Sequence, residues 1–104
     1  MSFEDFMETF LANDIAVLSI TEVGADGSGL TPLVFDKEGT EMVAIFTSLD
    51  RARTYSGSAQ FALTINAREF LKRLPEGFGV VLNPGYTEGL DIDPEGVGRI
   101  LASF

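Results

Sequence analysis

The hydroxyl-rich segment 47–58 is the first part of this sequence that could do chemistry, because a serine hydroxyl can act as a nucleophile. A serine nucleophile needs a base, and the chain contains no His and no Cys. Lysine could replace histidine, but nothing in the spacing pairs Lys37 or Lys72 with Ser48, Ser56 or Ser58. These absences exclude Ser-His-Asp and Cys-His catalysis within the chain and predict a non-enzymatic protein with no catalytic residue.

Two glycine-containing segments resemble ligand loops but are better explained as turns and helix caps. The segment GADGSG (24–29) has the glycines of a phosphate cradle, yet a strand follows it, whereas a cradle must open a helix. The segment DIDPEG (91–96) begins like a calcium loop, but the ninth and twelfth positions of that loop fall on Arg99 and Ala102. The sequence therefore predicts no metal site and no cofactor.

The charges are distributed unevenly along the chain. The net charge is −9, yet the segment 51–73 has a net charge of +4. Its cations are Arg51, Arg53, Arg68, Lys72 and Arg73. They predict a docking surface for an acidic protein partner, or for the acidic side of a second copy of the chain. A solvated helix surface, or pairing with acids elsewhere in the fold, remains the alternative. The overall negative charge argues against nucleic acid and anionic membranes as partners.

A second functional hypothesis is a small-molecule or anion-binding domain. A helix start near Thr47 and Ser48 would offer backbone N–H groups to an anion. The turn Asn83-Pro84-Gly85 would form the other wall of the pocket. Pro84 and Gly85 are typical of a type II turn, and the residue before proline is expected to be extended.

Hydrophobic periodicity and turn residues predict ten elements. Ser2 is expected to cap an amphipathic helix over 3–11, and Thr47 or Ser48 a short helix over 49–55. Asn66 is expected to cap a helix over 67–74, and Asp93 followed by Pro94 begins the last helix. Strands are predicted over 15–23, 30–36, 40–47, 59–65, 78–83 and, more weakly, 87–92.

This order of elements predicts one α+β domain over residues 1–104. We expect a single mainly antiparallel or mixed sheet of about five to six strands, with three to four helices packed mostly on one face. The first three strands are expected to form an antiparallel meander. The N-terminus lacks the basic segment of a signal peptide, and no apolar run is long enough to span a membrane, so a cytoplasmic location is expected.

Three segments together resemble a known family. They are PLVFDKEGTEMVAIFTSLDRA (32–52), LPEGFGVVLNPG (74–85) and LDIDPEGV (90–97). In this order and spacing, over about residues 15–101, the chain is similar to the N-terminal domain of the SseB-like family, the enhanced serine sensitivity proteins. The resemblance implies a small bacterial domain without an established catalytic site, which acts by modulating a partner enzyme such as a rhodanese-like sulfurtransferase. It carries no functional residue over to a position here.

Overall fold

The computed structural model describes residues 2–55, 60–86 and 89–104, and these form four helices and six strands. The helices are α1 (Phe3–Ala12), α2 (Leu49–Tyr55), α3 (Ala67–Arg73) and α4 (Pro94–Ser103). The strands are β1 (Asp14–Ser19), β2 (Val34–Lys37), β3 (Thr40–Ile45), β4 (Phe61–Asn66), β5 (Gly79–Leu82) and β6 (Leu90–Ile92). The predicted α+β class is confirmed. Ser56 and Ser58, and the first two residues of the weak strand predicted over 87–92, lie outside the described residues.

The strands form two sheets, so the prediction of a single sheet is wrong. β1 and β4 make a two-stranded antiparallel sheet. The other strands form a mixed sheet in the order β2-β3-β5-β6, in which β3 and β5 are parallel and the outer pairs are antiparallel. The predicted hairpin of β2 and β3 is therefore correct, but β1 takes β4 as its partner and does not complete a meander.

Pro32 explains why β1 and β2 do not join in one ladder. Ser19 and Pro32 make only an isolated bridge. Proline has no N–H with which to extend a ladder, and the neighbouring Thr31 N donates to the Ser19 hydroxyl at 3.0 Å instead. A second isolated bridge, between Ala16 and Phe46, connects the two sheets at the end of β3.

Alternate residues of β1 face opposite sides and build two apolar cores. Ile15 and Val17 belong to the larger core, which α1, α3 and α4 cover. Ala16 and Leu18 belong to the smaller core, where Phe46 is fully buried beneath α2. Three helices thus cover the face to which Ile15 and Val17 point, and α2 covers the opposite face. Truncating a buried phenylalanine such as Phe46 would lower the free energy of unfolding by about 3–5 kcal/mol.

The helices begin where the sequence predicts them to begin. Side-chain oxygens of the predicted caps accept backbone N–H bonds three residues later, Ser2 from Asp5 at 3.1 Å, Asn66 from Glu69 at 3.1 Å and Asp93 from Gly96 at 2.6 Å. Each bond satisfies a helix N–H that has no partner within the helix. For α2, Ser48 Oγ accepts from Arg51 N at 3.2 Å, so Ser48 acts as the cap.

The turn that follows β5 has the predicted form except at its first residue. Tyr86 N donates to Asn83 O at 3.1 Å, and Gly85 has a φ of +85°, as a type II turn requires. Asn83, however, has a φ of +50° instead of the extended geometry expected before proline. Asparagine is one of the few non-glycine residues that adopt this left-handed region readily, and its side chain is held there by the bonds described below.

Candidate functional site

The five cations predicted to form a docking surface lie on two different faces of the protein. Arg51 and Arg53 belong to α2, which packs on the smaller core. Arg68, Lys72 and Arg73 belong to α3, which packs on the larger core. The positive segment of the sequence therefore divides into an α2 pair (Arg51 and Arg53) and an α3 basic group (Arg68, Lys72 and Arg73).

Within the α3 basic group, Arg68 and Lys72 lie one turn apart and leave the helix on the same side. Lys72 Nζ lies 3.8 Å from Glu69 Oε1, and these two side chains are 55% and 52% exposed. An exposed ion pair of this kind contributes about 0–1 kcal/mol because water screens it. Lys72 is therefore accessible to a carboxylate of another molecule.

Arg73 reaches the glycine-rich loop that precedes β2. Its Nη1 donates to the main-chain oxygen of Asp26 at 3.2 Å. The next residue, Gly27, has a φ of +89°, and a Cβ at Gly27 would lie 3.6 Å from the same Nη1. The bond anchors this loop to the C-terminal turn of α3.

The carboxylate of Asp26 titrates below its ordinary range. Hydrogen bonds from the main chain and side chain of Ser28 are the main reason that the pKa of Asp26 is lowered, and the charge of Arg73 adds a smaller effect. Asp26 Oδ1 accepts from Ser28 N at 2.9 Å. The loop beside α3 thus carries an ionised carboxylate and a guanidinium close together at neutral pH.

An apolar cleft of about 530 Å³ lies between this loop and α3, and we call it the α3 cleft. Its apolar walls include Leu30, Val34, Leu63, Phe70, Leu74 and Phe78. Arg73 and Asp26 also line it and are both exposed. Val34, the first residue of the edge strand β2, is 43% exposed beside the cleft. Sequence reasoning missed this cleft, since its walls come from four separate stretches of the chain, 26–34, 43, 63–65 and 70–78.

The α2 pair is placed differently. The guanidinium of Arg51 lies 4.6 Å from the centre of the Tyr86 ring, and the Tyr86 hydroxyl donates to Arg51 O at 3.4 Å. Arg51 therefore holds α2 against the turn after β5. Arg53 is exposed and lies beside a shallow cleft lined by Leu18, Leu49 and Phe61 among others.

The residues predicted to line an anion pocket are brought together, but they bind one another. Thr47 N donates to Asn83 Oδ1 at 3.0 Å, and Asn83 Nδ2 donates to Thr47 Oγ1 at 3.1 Å. The Ser48 hydroxyl caps α2, and a Cβ on Gly85 would lie 3.8 Å from the Tyr55 ring. These polar groups fix the ends of β3 and β5, and none of the four residues lines the α3 cleft.

Two further properties concern only the part of the chain that the structure describes. No group of three or more acidic side chains there is arranged to hold a metal ion. No helix within those ranges has both the length and the apolar character needed to cross a bilayer.

The fold is that of a small acidic α+β domain. Three helices cover one face of its two sheets, and the short helix α2 covers the other face. The chain belongs to the family described as the SseB protein N-terminal domain, whose model matches residues 2–99. No curated protein and no solved structure matches the chain.

Proposed function

We propose that the domain is a non-enzymatic interaction and regulatory module that binds an acidic surface of a partner protein through the α3 basic group. The observation that carries this proposal is the concentration of Arg68, Lys72 and Arg73 on one short helix of a chain whose net charge is −9. Two neighbouring carboxylates offset part of this charge: that of Glu69, 3.8 Å from Lys72, and that of Asp26, whose main-chain oxygen accepts a bond from Arg73.

Cations at a protein surface act mainly on the rate and orientation of association. Binding should therefore weaken as salt is added, because screening shortens the range of the attraction. The regulated partner suggested by the family resemblance is a rhodanese-like sulfurtransferase, and the proposed location is the bacterial cytoplasm. The domain would modulate such an enzyme by occupying an acidic surface on it.

The test is binding of the purified domain to a purified rhodanese-like sulfurtransferase from the same organism, measured by biolayer interferometry at low and high salt. Combining Arg68→Glu with Lys72→Glu should lower the affinity at low salt by at least about tenfold, which is about 1.4 kcal/mol. Equal binding by the double variant and the wild type at low salt would rule out the α3 surface. No binding by the wild type would rule out this enzyme class as the partner.

A matched pair of single variants separates the α3 surface from a general charge effect. Lys72 and Arg53 are both exposed cations in the last turn of a helix, on opposite faces of the protein. Lys72→Glu and Arg53→Glu change the net charge equally, so a surface confined to α3 predicts a loss of binding for the first variant only. Thermal melting should show similar small changes for both, since each side chain is solvated.

The second candidate function is binding of a small apolar molecule that carries one carboxylate, and the α3 cleft favours it. The cleft volume of about 530 Å³ lies within the usual range for ligand sites, roughly 300–1,000 Å³. Its apolar walls would take the body of the ligand, and the guanidinium of Arg73 would take the carboxylate. This location differs from the pocket predicted from the sequence at Thr47 and Asn83, whose side chains bond to each other.

Octanoate and 3-phenylpropionate are suitable probes for the α3 cleft. Each should raise the melting temperature of the wild type, because a ligand specific for the native state stabilises it. Arg73→Gln should abolish that increase and Arg53→Gln should retain it, whereas Asp26→Asn should enlarge it by removing a like charge. No increase with either probe, or a loss caused by Asp26→Asn, would contradict this candidate.

A further inference from the structure

β4 forms the least protected open edge among the described residues. It pairs with β1 alone, and its sequence FALTIN contains no charged residue, no proline and no glycine. Proteins usually guard an open edge with charges, proline or a very short strand, because its free N–H and C=O groups can pair with another chain. The outer strands of the larger sheet are guarded in this way. β2 contains Asp36 and Lys37, and β6 has three residues, of which one is Asp91.

The main-chain groups that face this open edge are those of Ala62 and Thr64. Ala67 N donates to Asn13 O at 2.9 Å, and this pair directly follows the end of the β1–β4 ladder. Because bonded and non-bonded pairs alternate along an antiparallel ladder, Leu63 bonds to β1, whereas Ala62 and Thr64 direct their N–H and C=O groups outward. Both residues are exposed, and these groups bond to no other described residue.

A cleft of about 380 Å³ lies beside this edge, and we call it the β4 cleft. Leu18, Leu49 and Phe61 supply its apolar lining. Arg53 is the one charged residue among the described residues that line it. The Arg53 side chain is exposed, and no other described residue forms an ion pair or a hydrogen bond with it. The edge therefore combines an open ladder, an apolar recess and a cation.

We propose that the β4 edge binds an extended acidic segment of another protein, which joins the two-stranded sheet as a third strand. An extended chain presents N–H and C=O groups at the spacing of those on Ala62 and Thr64, which lie two residues apart. An apolar side chain of the segment would occupy the β4 cleft, and a nearby carboxylate would pair with Arg53. Main-chain bonds supply the affinity in this mode of recognition, and side-chain contacts supply the specificity.

The local charge favours an acidic segment of another protein over a second copy of this chain. Segment 47–66, which contains α2 and β4, has one acid and two arginines, although the chain as a whole has a net charge of −9. Charges farther away than about 8–10 Å are largely screened at physiological salt, so a bound segment mainly meets the charge of Arg53. Antiparallel pairing of β4 with itself about a two-fold axis would place α2 of both copies on one face of the joined sheet, where their Arg53 side chains repel.

Amide hydrogen exchange of the full chain tests strand addition with a defined probe, the blocked peptide TETVTVTET. The amide protons of Ala62 and Thr64 should exchange rapidly in the free protein. A peptide concentration of about 1 mM should slow them by about tenfold, the effect expected of a dissociation constant of roughly 0.1 mM. Leu63 is the internal control, because its N–H already bonds to β1 and should exchange slowly in both states. Peptide binding that leaves Ala62 and Thr64 unprotected would contradict strand addition.

Reversal of the charge at Arg53 tests which segment the edge prefers. By fluorescence anisotropy, the wild type should bind TETVTVTET at least about tenfold more tightly than TKTVTVTKT, in which lysine replaces glutamate. Arg53→Glu should reverse that order, because the cleft then carries a carboxylate. Lys72→Glu is the matched control, since it changes the net charge equally on the opposite face, and it should keep the wild-type order. An unchanged order in Arg53→Glu, or no preference in the wild type, would rule out an acidic segment.

The same two variants separate this proposal from docking through the α3 basic group. Lys72→Glu should lose binding to the sulfurtransferase and Arg53→Glu should retain it, which is the opposite of the result expected with the peptide. No peptide binding by the wild type would overturn the β4 proposal and leave docking through α3 unaffected. Protection of Ala62 and Thr64 that rises with protein concentration in the absence of peptide would show a second copy at the edge, and it too would contradict the proposal.

Discussion

The side chain of Asn83 joins the ends of two parallel strands by bonding twice to Thr47. Its Oδ1 accepts from Thr47 N at 3.0 Å and its Nδ2 donates to Thr47 Oγ1 at 3.1 Å. The main chain of Asn83 also donates to Ile45 O at 2.8 Å, at the end of β3. Asn83 is buried, with 3% of its surface exposed, and it adopts a φ of +50°. One residue therefore combines a buried polar network with a backbone conformation that few residues accept.

Substitutions at Asn83 should separate the effect of its hydrogen bonds on stability from the effect of its positive φ. Asn83→Ala removes two hydrogen bonds worth about 1 kcal/mol each, and it adds the cost of a left-handed alanine, about 1–2 kcal/mol. Asn83→Gly removes the same bonds without that backbone cost. We expect the alanine variant to be less stable than the glycine variant by about 1 kcal/mol in urea unfolding. Equal stabilities would mean that the positive φ is not maintained in solution.

Two glycines should respond to alanine in opposite directions. A Cβ at Gly79 in β5 would clash with Ile92 O and lie 2.6 Å from Met42 Sδ. Gly79→Ala must therefore displace β6, and it should lower the free energy of unfolding by about 1–3 kcal/mol or more. A Cβ at Gly98 in α4 would have no atom within 4 Å. Gly98→Ala should therefore stabilise the protein by up to about 1 kcal/mol, since alanine is the better helix former.

Thermal melting of these two variants provides the comparison, because each change adds one methyl group. A destabilised Gly98→Ala variant would show that α4 does not have the exposed helical geometry described here. A neutral Gly79→Ala variant would show that β5 and β6 do not approach one another closely.

The helix starts could be predicted from the sequence because their causes are local. Asn66 and Asp93 bond to N–H groups three residues away, and the residue types alone indicate this geometry. The turn at Pro84 and Gly85 could also be predicted from the sequence, since each residue restricts its own backbone angles. The positive φ of Asn83 could not be predicted, because it depends on Thr47, which is far away in the sequence.

Strand partners and helix faces could not be obtained in this way. The apolar run of β1 indicates a buried strand, but nothing in it specifies β4 rather than β2 as the antiparallel partner. The same limit affected the candidate site. Arg53 and Arg68 are near one another in sequence, yet β4 passes between α2 and α3 and the two helices pack on opposite faces. A one-dimensional charge map cannot reveal that division.

The contact between Arg51 and Tyr86 should contribute modestly to holding α2 in place. The guanidinium lies 4.6 Å from the ring centre, a geometry in which a cation and an aromatic ring attract by about 0.5–1 kcal/mol at exposed sites. Tyr86→Leu should lower the free energy of unfolding, measured in urea, by that amount. Tyr86→Phe keeps the ring and loses only a long hydroxyl bond of 3.4 Å, so it should remain close to the wild type. A larger loss for phenylalanine than for leucine would contradict this assignment.

The Asp26 carboxylate should titrate below its ordinary value in the folded protein, and NMR can measure this directly. Because the native pKa of Asp26 is lowered from 3.8, mainly by hydrogen bonds from Ser28, the folded state binds fewer protons than the unfolded state in acid. Its stabilising contribution is therefore present above pH 3.8 and is lost as the pH falls through the native pKa. Ser28→Ala removes the side-chain hydrogen bond to Asp26 and keeps the main-chain one. It should still raise the pKa of Asp26 more than Arg73→Gln does, because the effect of the serine side chain exceeds that of the arginine charge. The reverse order would show that the charge of Arg73, and not the loop geometry, controls this carboxylate.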